Sequence, residues 1–373
     1  MKKRFILILF TLFAVFFCPV ITYASQQEDI YAQQYDASGA DMLDDALPED
    51  TAEYMETADI GNPQESIGEG LDIKKIFVSI ADMLEDSLSQ PLFSCAGALM
   101  ISLLCSLCAC TWKGTAPTIN CIGGLMCSLT CALPIVDFIG ECGDVIGASC
   151  DFSSVFVPVY AAILTVNGHP LTSAGFSSFA LMLNEICTVM VSGVILPLLN
   201  IYLAVSLVVS IGNDSSLERI SDFAGKSVKW FFGFSAALLA GISVLSTVST
   251  GAADKVTYKA TRYLISNCLP IVGGSISDAA SVVQGSMGVL KLSVGSFAII
   301  AIAYIFLPHI IKAAVWLVFS NISAAFAQML GAKNTAAIYK STASVLSMLL
   351  SLLVFTSFLM IISAAMTLGQ GTG

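Results

Sequence analysis

The 373-residue chain is poor in charge, with 12% Asp, Glu, Lys and Arg, and it holds only two histidines, His169 and His309. A soluble domain carries roughly 25% charged residues, so this composition excludes an ordinary soluble metabolic enzyme. The 16 Lys and Arg form no basic stripe, which excludes a nucleic-acid binder. HExxH and GxSxG are both missing, so neither zinc hydrolysis nor Ser-His catalysis has a visible constellation. Gly225, Lys226 and Ser227 mimic the end of a phosphate-binding loop, but the pattern requires glycine at position 220, which is Ile220. No catalytic, cofactor or metal site is expected, and the chain reads as something other than an enzyme.

What is abundant is apolar sequence, at 56%. The net charge of -11 is distributed unevenly: three bases lie in residues 1–24, seventeen acids and two lysines in 25–90, and eleven bases with ten acids in 91–373. An acidic head therefore precedes a nearly neutral hydrophobic body. The expected class is all-α, a polytopic membrane protein with about seven to nine transmembrane segments.

Lys2, Lys3 and Arg4 precede an apolar run from Phe5 to Phe17 and then small and polar residues. Residues 1–24 read as a secretory signal cleaved between Ala24 and Ser25, the alternative being an uncleaved anchor; either way the head is exported. Residues 25–70 combine many acids with Pro48, Gly61, Pro63, Gly68 and Gly70. Self-repulsion and scarce apolar area predict disorder there, as a solvated linker or as a tail for a basic partner. Over 71–90, Ile73, Ile76, Phe77, Ile80, Leu84 and Leu88 recur at helical spacing. They predict an amphipathic helix stopped by Pro91 and packed against protein.

Residues 91–373 form the multi-pass body. Uncharged runs at 92–111, 115–136, 186–211, 230–250, 292–311, 313–330 and 341–368 are each long enough to cross a bilayer. Residues 152–184 and 264–290 are interrupted and read as re-entrant or broken segments, tolerated only where protein or water shields the free backbone. The base-free stretch with Asp137, Glu141, Asp144 and Asp151 reads as an exterior loop. Cys142 and Cys150 fall in it and are candidates for a disulfide. The other cysteines, including the Cys105/Cys108 pair, read as packing residues. Stripes of small residues at Gly233, Ala237 and Gly241, and at Ser323, Ala327 and Gly331, permit close helix approach within one chain or a homo-oligomer. Asp278, Glu185, Lys291, His309 and Lys312 are the ionisable groups in or beside the spans; they mark span ends or a polar path. Asp278, which follows Pro270, Gly273 and Gly274 in the broken region, is the candidate for a hinge or conduit.

The run Leu269, Pro270, Ile271, Val272, Gly273, Gly274, with Ser277, Asp278 and Ala279 and a following apolar span ending in Leu307 and Pro308, resembles the stage III sporulation protein AE family. The specific likeness covers about residues 260–331, and the layout as a whole fits. The resemblance implies a multi-pass protein of endospore-forming bacteria, placed in the mother-cell membrane around the forespore. It implies membership in a multi-protein channel, or secretion apparatus, that supports late forespore gene expression and includes a separate ATPase as a partner. No catalytic residues are implied. The alternative is a stand-alone secondary transporter of a small solute, motivated by the broken segments and Asp278.

Overall fold

The computed structural model describes residues 34–60, 73–111, 116–212 and 273–368, with single helical positions at 223, 225, 226, 230, 233 and 237. Side chains of the last long stretch are described from Met287 onward. The signal segment 1–24 with its Ala24/Ser25 junction, Pro270 and the run 230–250 lie outside the described residues.

Among the described residues there is no strand. Two short helices, α1 (Met42–Asp45) and α2 (Glu49–Thr57), belong to the acidic head. Long helices follow: α3 (Ile73–Thr111), α4 (Ala116–Val166), α5 (Pro170–Cys187), α6 (Leu196–Gly212), α7 (Gly273–Met329) and α8 (Lys333–Leu368). A π-helical segment, Thr188–Ile195, joins α5 to α6 without a break. Its wider turn suits Pro197, which has no N–H for the carbonyl of Gly193 and whose ring crowds that carbonyl.

Among the described residues, five helices are long and apolar enough to cross a membrane: Lys74–Thr111, Cys121–Val166, Pro170–Ser210, Met287–Met329 and Lys333–Ala365. The chain is thus an α-helical polytopic membrane protein, but its uncharged runs do not correspond one to one with helices. The runs 292–311 and 313–330 are one helix passing straight through Lys312, and 115–136 joins the first part of 152–184 in α4. Pro91, Pro134, Pro158 and Pro308 all lie inside helices. Each removes one backbone hydrogen bond, a loss that packed membrane helices absorb. Pro91 therefore does not stop the amphipathic helix, which continues into the first apolar run as α3.

The pairs α3/α4, α4/α5 and α7/α8 run antiparallel, and the helices enclose one buried core. Phe138, Phe152, Phe297, Phe306, Tyr339, Leu346 and Leu349 are fully enclosed within it. Two hairpins share one stop signal. After α4, Gly168 (φ 83) lets its N–H reach the Thr165 carbonyl and lets His169 N–H reach the Leu164 carbonyl. After α7, Gly331 (φ 76) does the same with Gln328, and Ala332 with Ala327. A left-handed residue just past the helix satisfies carbonyls that have no partner in the helix.

The acidic head departs from the expectation of disorder. Across residues 34–60, Leu43, Ala40, Met55, Ala58 and Ile60 are buried. The acids sit on the outer side while this small set of apolar residues packs on the bundle, so composition averaged over the segment hides an ordered contact face. Ser79 Oγ donates to the Tyr54 carbonyl at 3.2 Å, the Tyr54 hydroxyl donates to Asp86 at 3.3 Å, and Lys75 pairs with Asp59. Asp59 takes the left-handed position (φ 59) that closes α2, a conformation that Asp tolerates better than most residues.

Candidate functional site

Gly273, Gly274 and Asp278 are helical and lie in the first described turns of α7. Any discontinuity at Pro270 lies outside the described residues. Glu185 is exposed near the end of α5. Lys291 is 5% exposed and has no hydrogen-bond or ionic partner among the described residues. Close by in sequence, Asn167 Nδ2 donates to the Met287 carbonyl at 3.0 Å and ties the α4–α5 hairpin to α7.

Cys142 and Cys150 are both buried thiols on the continuous helix α4. Eight residues of helix separate their Cα atoms by about 12 Å, beyond the roughly 7 Å limit for a disulfide. The expected bridge is therefore excluded by helix continuity. The stretch once read as an exterior loop is the middle of α4. There Asp137, Glu141, Asp144 and Asp151 recur at intervals of four, three and seven residues and line one face.

One member of that face meets a cation from far along the chain. Lys312 Nζ donates to Glu141 Oε2 at 2.5 Å and lies 5.1 Å from the centroid of the Phe138 ring. The Lys312 side chain is 22% exposed and that of Glu141 41%, so the pair is neither dry nor freely solvated. His309 stands one turn before Lys312 and feels the charges of Glu141, Lys312 and Asp50. Helix α2 of the head packs against α7, the helix that carries Lys312 of this charged collar. In the head itself, burial and then the adjacent Asp86 carboxylate push the Tyr54 phenol above its ordinary pKa.

Further along the bundle the polar groups are internal. Tyr339 donates to the Cys95 carbonyl at 2.8 Å, Thr335 to Ser102 at 3.0 Å, and Cys127 to the Ala98 carbonyl at 3.2 Å, which together lock α8 and α4 onto α3. Ser210 and Ser341 share a 3.1 Å hydrogen bond between α6 and α8. Ser323 and Ala327, whose stripe admits packing within one chain or a homo-oligomer, are buried within the chain, Ser323 beside Tyr339 of α8. Gly233 and Ala237 are helical and exposed, while Gly241 lies outside the described residues. The described residues hold no cluster of three or more metal-ligating side chains. The ion pair escaped sequence reasoning because its members are 171 positions apart. The recurrence of His309, Trp316, Ser320 and Ser323 on one face of α7 was the available signal for the internal polar groups.

The fold and this collar define a helical multi-pass membrane protein with a folded acidic head seated on its bundle. The model of the stage III sporulation protein AE family (spore_III_AE) matches residues 70–371. The chain belongs to that family and is a sporulation-related protein. It is 21% identical over 157 residues to stage III sporulation protein AE of Bacillus subtilis (strain 168), a stretch covering 42% of this chain and 39% of that protein. The match thus spans about two fifths of the length of that curated relative. No solved structure matches the chain significantly.

Proposed function

We propose that the chain is a membrane component of the channel or secretion apparatus linking mother cell and forespore, required for spore development and late forespore gene expression. It acts from the mother-cell membrane around the forespore, without catalysis of its own, beside other membrane proteins and a separate ATPase. The observation that carries this reading is the family match over residues 70–371. An exported head folded onto the bundle, with its acids outward, offers a surface to such partners. An in-frame deletion in the source organism tests it. Vegetative growth should be normal, heat-resistant spores should be lost, and forespore expression should stop after engulfment, all restored by complementation. Full spore counts in the deletion strain overturn the proposal. Within the same reading, Asp278→Ala should lower spore counts at unchanged protein level, and normal sporulation removes Asp278 from the conduit.

A stand-alone secondary transporter is the second reading. Lys291, buried and without a partner among the described residues, favours it, since an unpaired buried cation is costly and perturbed charged groups cluster at functional sites. Solute uptake by the purified chain in liposomes, dependent on Lys291, distinguishes it.

A further inference from the structure

Helices α7 and α8 carry buried polar side chains that no described residue satisfies. His309, Trp316 and Ser320 lie seven and four residues apart, which places them on one face of α7. His309 Nδ1, Trp316 Nε1, Ser320 Oγ and, on α8, Thr342 Oγ1 are inaccessible and have no hydrogen-bond partner among the described residues. Trp316, Ser320 and Thr342 are each only 1% exposed. The α7–α8 hairpin turns at Gly331, and Ser323 lies within hydrogen-bonding reach of Tyr339. That register sets Ser320 level with Thr342.

A buried polar atom left without a partner costs about 1–3 kcal/mol, whereas an apolar replacement of the same shape costs little. Four such atoms along one seam are therefore expensive if the seam is dry. Their chemistry is complementary to water: the indole only donates, and the two hydroxyls donate and accept. Trp316 and Ser320 are one turn apart on that face, about 5–6 Å between Cβ atoms, so one bound water can serve both side chains. The flanking residues Ala313, Leu346 and Leu349 are fully buried, so the polar atoms are walled off from bulk solvent and from larger solutes.

We propose that the α7–α8 seam holds a file of ordered water running from His309, beside the Glu141–Lys312 pair, past Trp316 to Ser320 and Thr342. From His309 to Ser320 the file spans about 17 Å of helix, roughly half the hydrocarbon thickness. Its cargo class is water and the protons that water carries. The inference is independent of the sporulation reading, because it concerns the interior of this chain alone.

The test is hydroxyl-radical footprinting by X-ray pulses on the full-length protein in lipid nanodiscs, where radicals form from bound water beside buried side chains. Trp316 is compared with Phe297 and Phe306, which are 1% and 0% exposed on the same helix, after correction for intrinsic ring reactivity. Trp316 should be oxidised at least about tenfold faster than either phenylalanine. In the near-isosteric variant Ser320→Ala/Thr342→Val its rate should fall severalfold while the phenylalanine rates stay unchanged; that constancy also reports intact folding. Oxidation of Trp316 at the Phe297 rate overturns the proposal. So does fast oxidation that the double variant leaves unaltered, because the radical then arrives by opening of the bundle.

Discussion

Removing both members of the Glu141–Lys312 pair should cost less than the two single removals summed. The pair joins the middle of α4 to the middle of α7, with Lys312 also resting against Phe138. Exposed ion pairs contribute about 0.2–1 kcal/mol, while stripping the partner from a buried one costs about 3–5 kcal/mol. With side-chain exposures of 41% for Glu141 and 22% for Lys312, Glu141→Gln falls between these limits, at about 1.5 kcal/mol. Lys312→Met keeps the stem against Phe138 and forfeits the cation–π attraction, about 0.5–1 kcal/mol, and it leaves the carboxylate alone. The double variant has no stranded charge, so its loss should be smaller than the sum of the singles by about 1 kcal/mol. Equilibrium unfolding of the purified chain in mixed micelles, with all four proteins in one detergent ratio, measures this coupling. Singles that add within about 0.3 kcal/mol, the behaviour of independent sites, would refute the claim that the pair holds α4 to α7. The charge-swapped variant Glu141→Lys/Lys312→Glu should recover only in part, because an acid then faces the Phe138 ring.

Gly123→Val tests the closeness of α3 and α4. A Cβ at this position would lie 2.7 Å from Cys105 Sγ and 2.9 Å from its Cβ, so the helices must part, at about 1–3 kcal/mol. Adding Cys105→Ala removes the sulfur clash only, and a full rescue of the thermal midpoint would show that the backbone approach is looser than described. Leu43→Ala with Met55→Ala, both positions fully buried, should release the head; cavities of this kind cost about 2–5 kcal/mol each. A Glu-specific protease should then cut at Glu49, Glu53 and Glu56 in the variant and spare the native chain, and equal cutting of both contradicts docking. A lipid-soluble carbene should label Met100, Leu104, Leu125, Leu129, Leu133, Ile322 and Phe326 and skip the face bearing Asp137, Asp144 and Asp151. Unbroken labelling through that face would show lipid around it.

The class of fold was legible because low charge and long apolar runs admit little else, and the family likeness was legible in Leu269 to Ala279. The ends of helices were less so. Lys312 looked like a boundary because charge is costly in lipid, yet Glu141 neutralises it at 2.5 Å, and no local pattern announces a partner that distant. Pro91 looked like a stop, by a rule drawn from helices in water, but α3 continues through it. The acids of residues 25–70 predicted disorder, whereas Leu43, Met55 and Ile60 supply just enough apolar surface to dock the segment on helices that α2 does not itself contain. Each miss has one origin. A local rule prices a residue alone, and tertiary contact changes that price.

The exposed apolar residues locate the lipid belt relative to the collar. Leu92 to Leu107 on α3, Ile122 to Val136 on α4 and Val318 to Met329 on α7 carry large exposed side chains at one end of the bundle, and the same helices expose fewer at the other, at Phe77, Val166 and Leu292. From Ile122 to Val136 the helix rises about 21 Å, most of a hydrocarbon core of about 30 Å. The acidic face begins at the next residue, Asp137, and continues to Asp151. Helix α4 rises about 76 Å over its 51 residues, so a bilayer that covers its first half leaves its second half outside. The Glu141–Lys312 pair then stands at the border, where water reaches it from one side, consistent with its intermediate exposure. The acidic head packs on the same outer half, through Tyr54, Asp86, Asp59 and Lys75. Charge and head docking thus change at one level, whereas exposed apolar surface continues beyond it at Phe77, Val78, Val166, Leu171 and Leu292, so the outer half keeps an apolar face of its own.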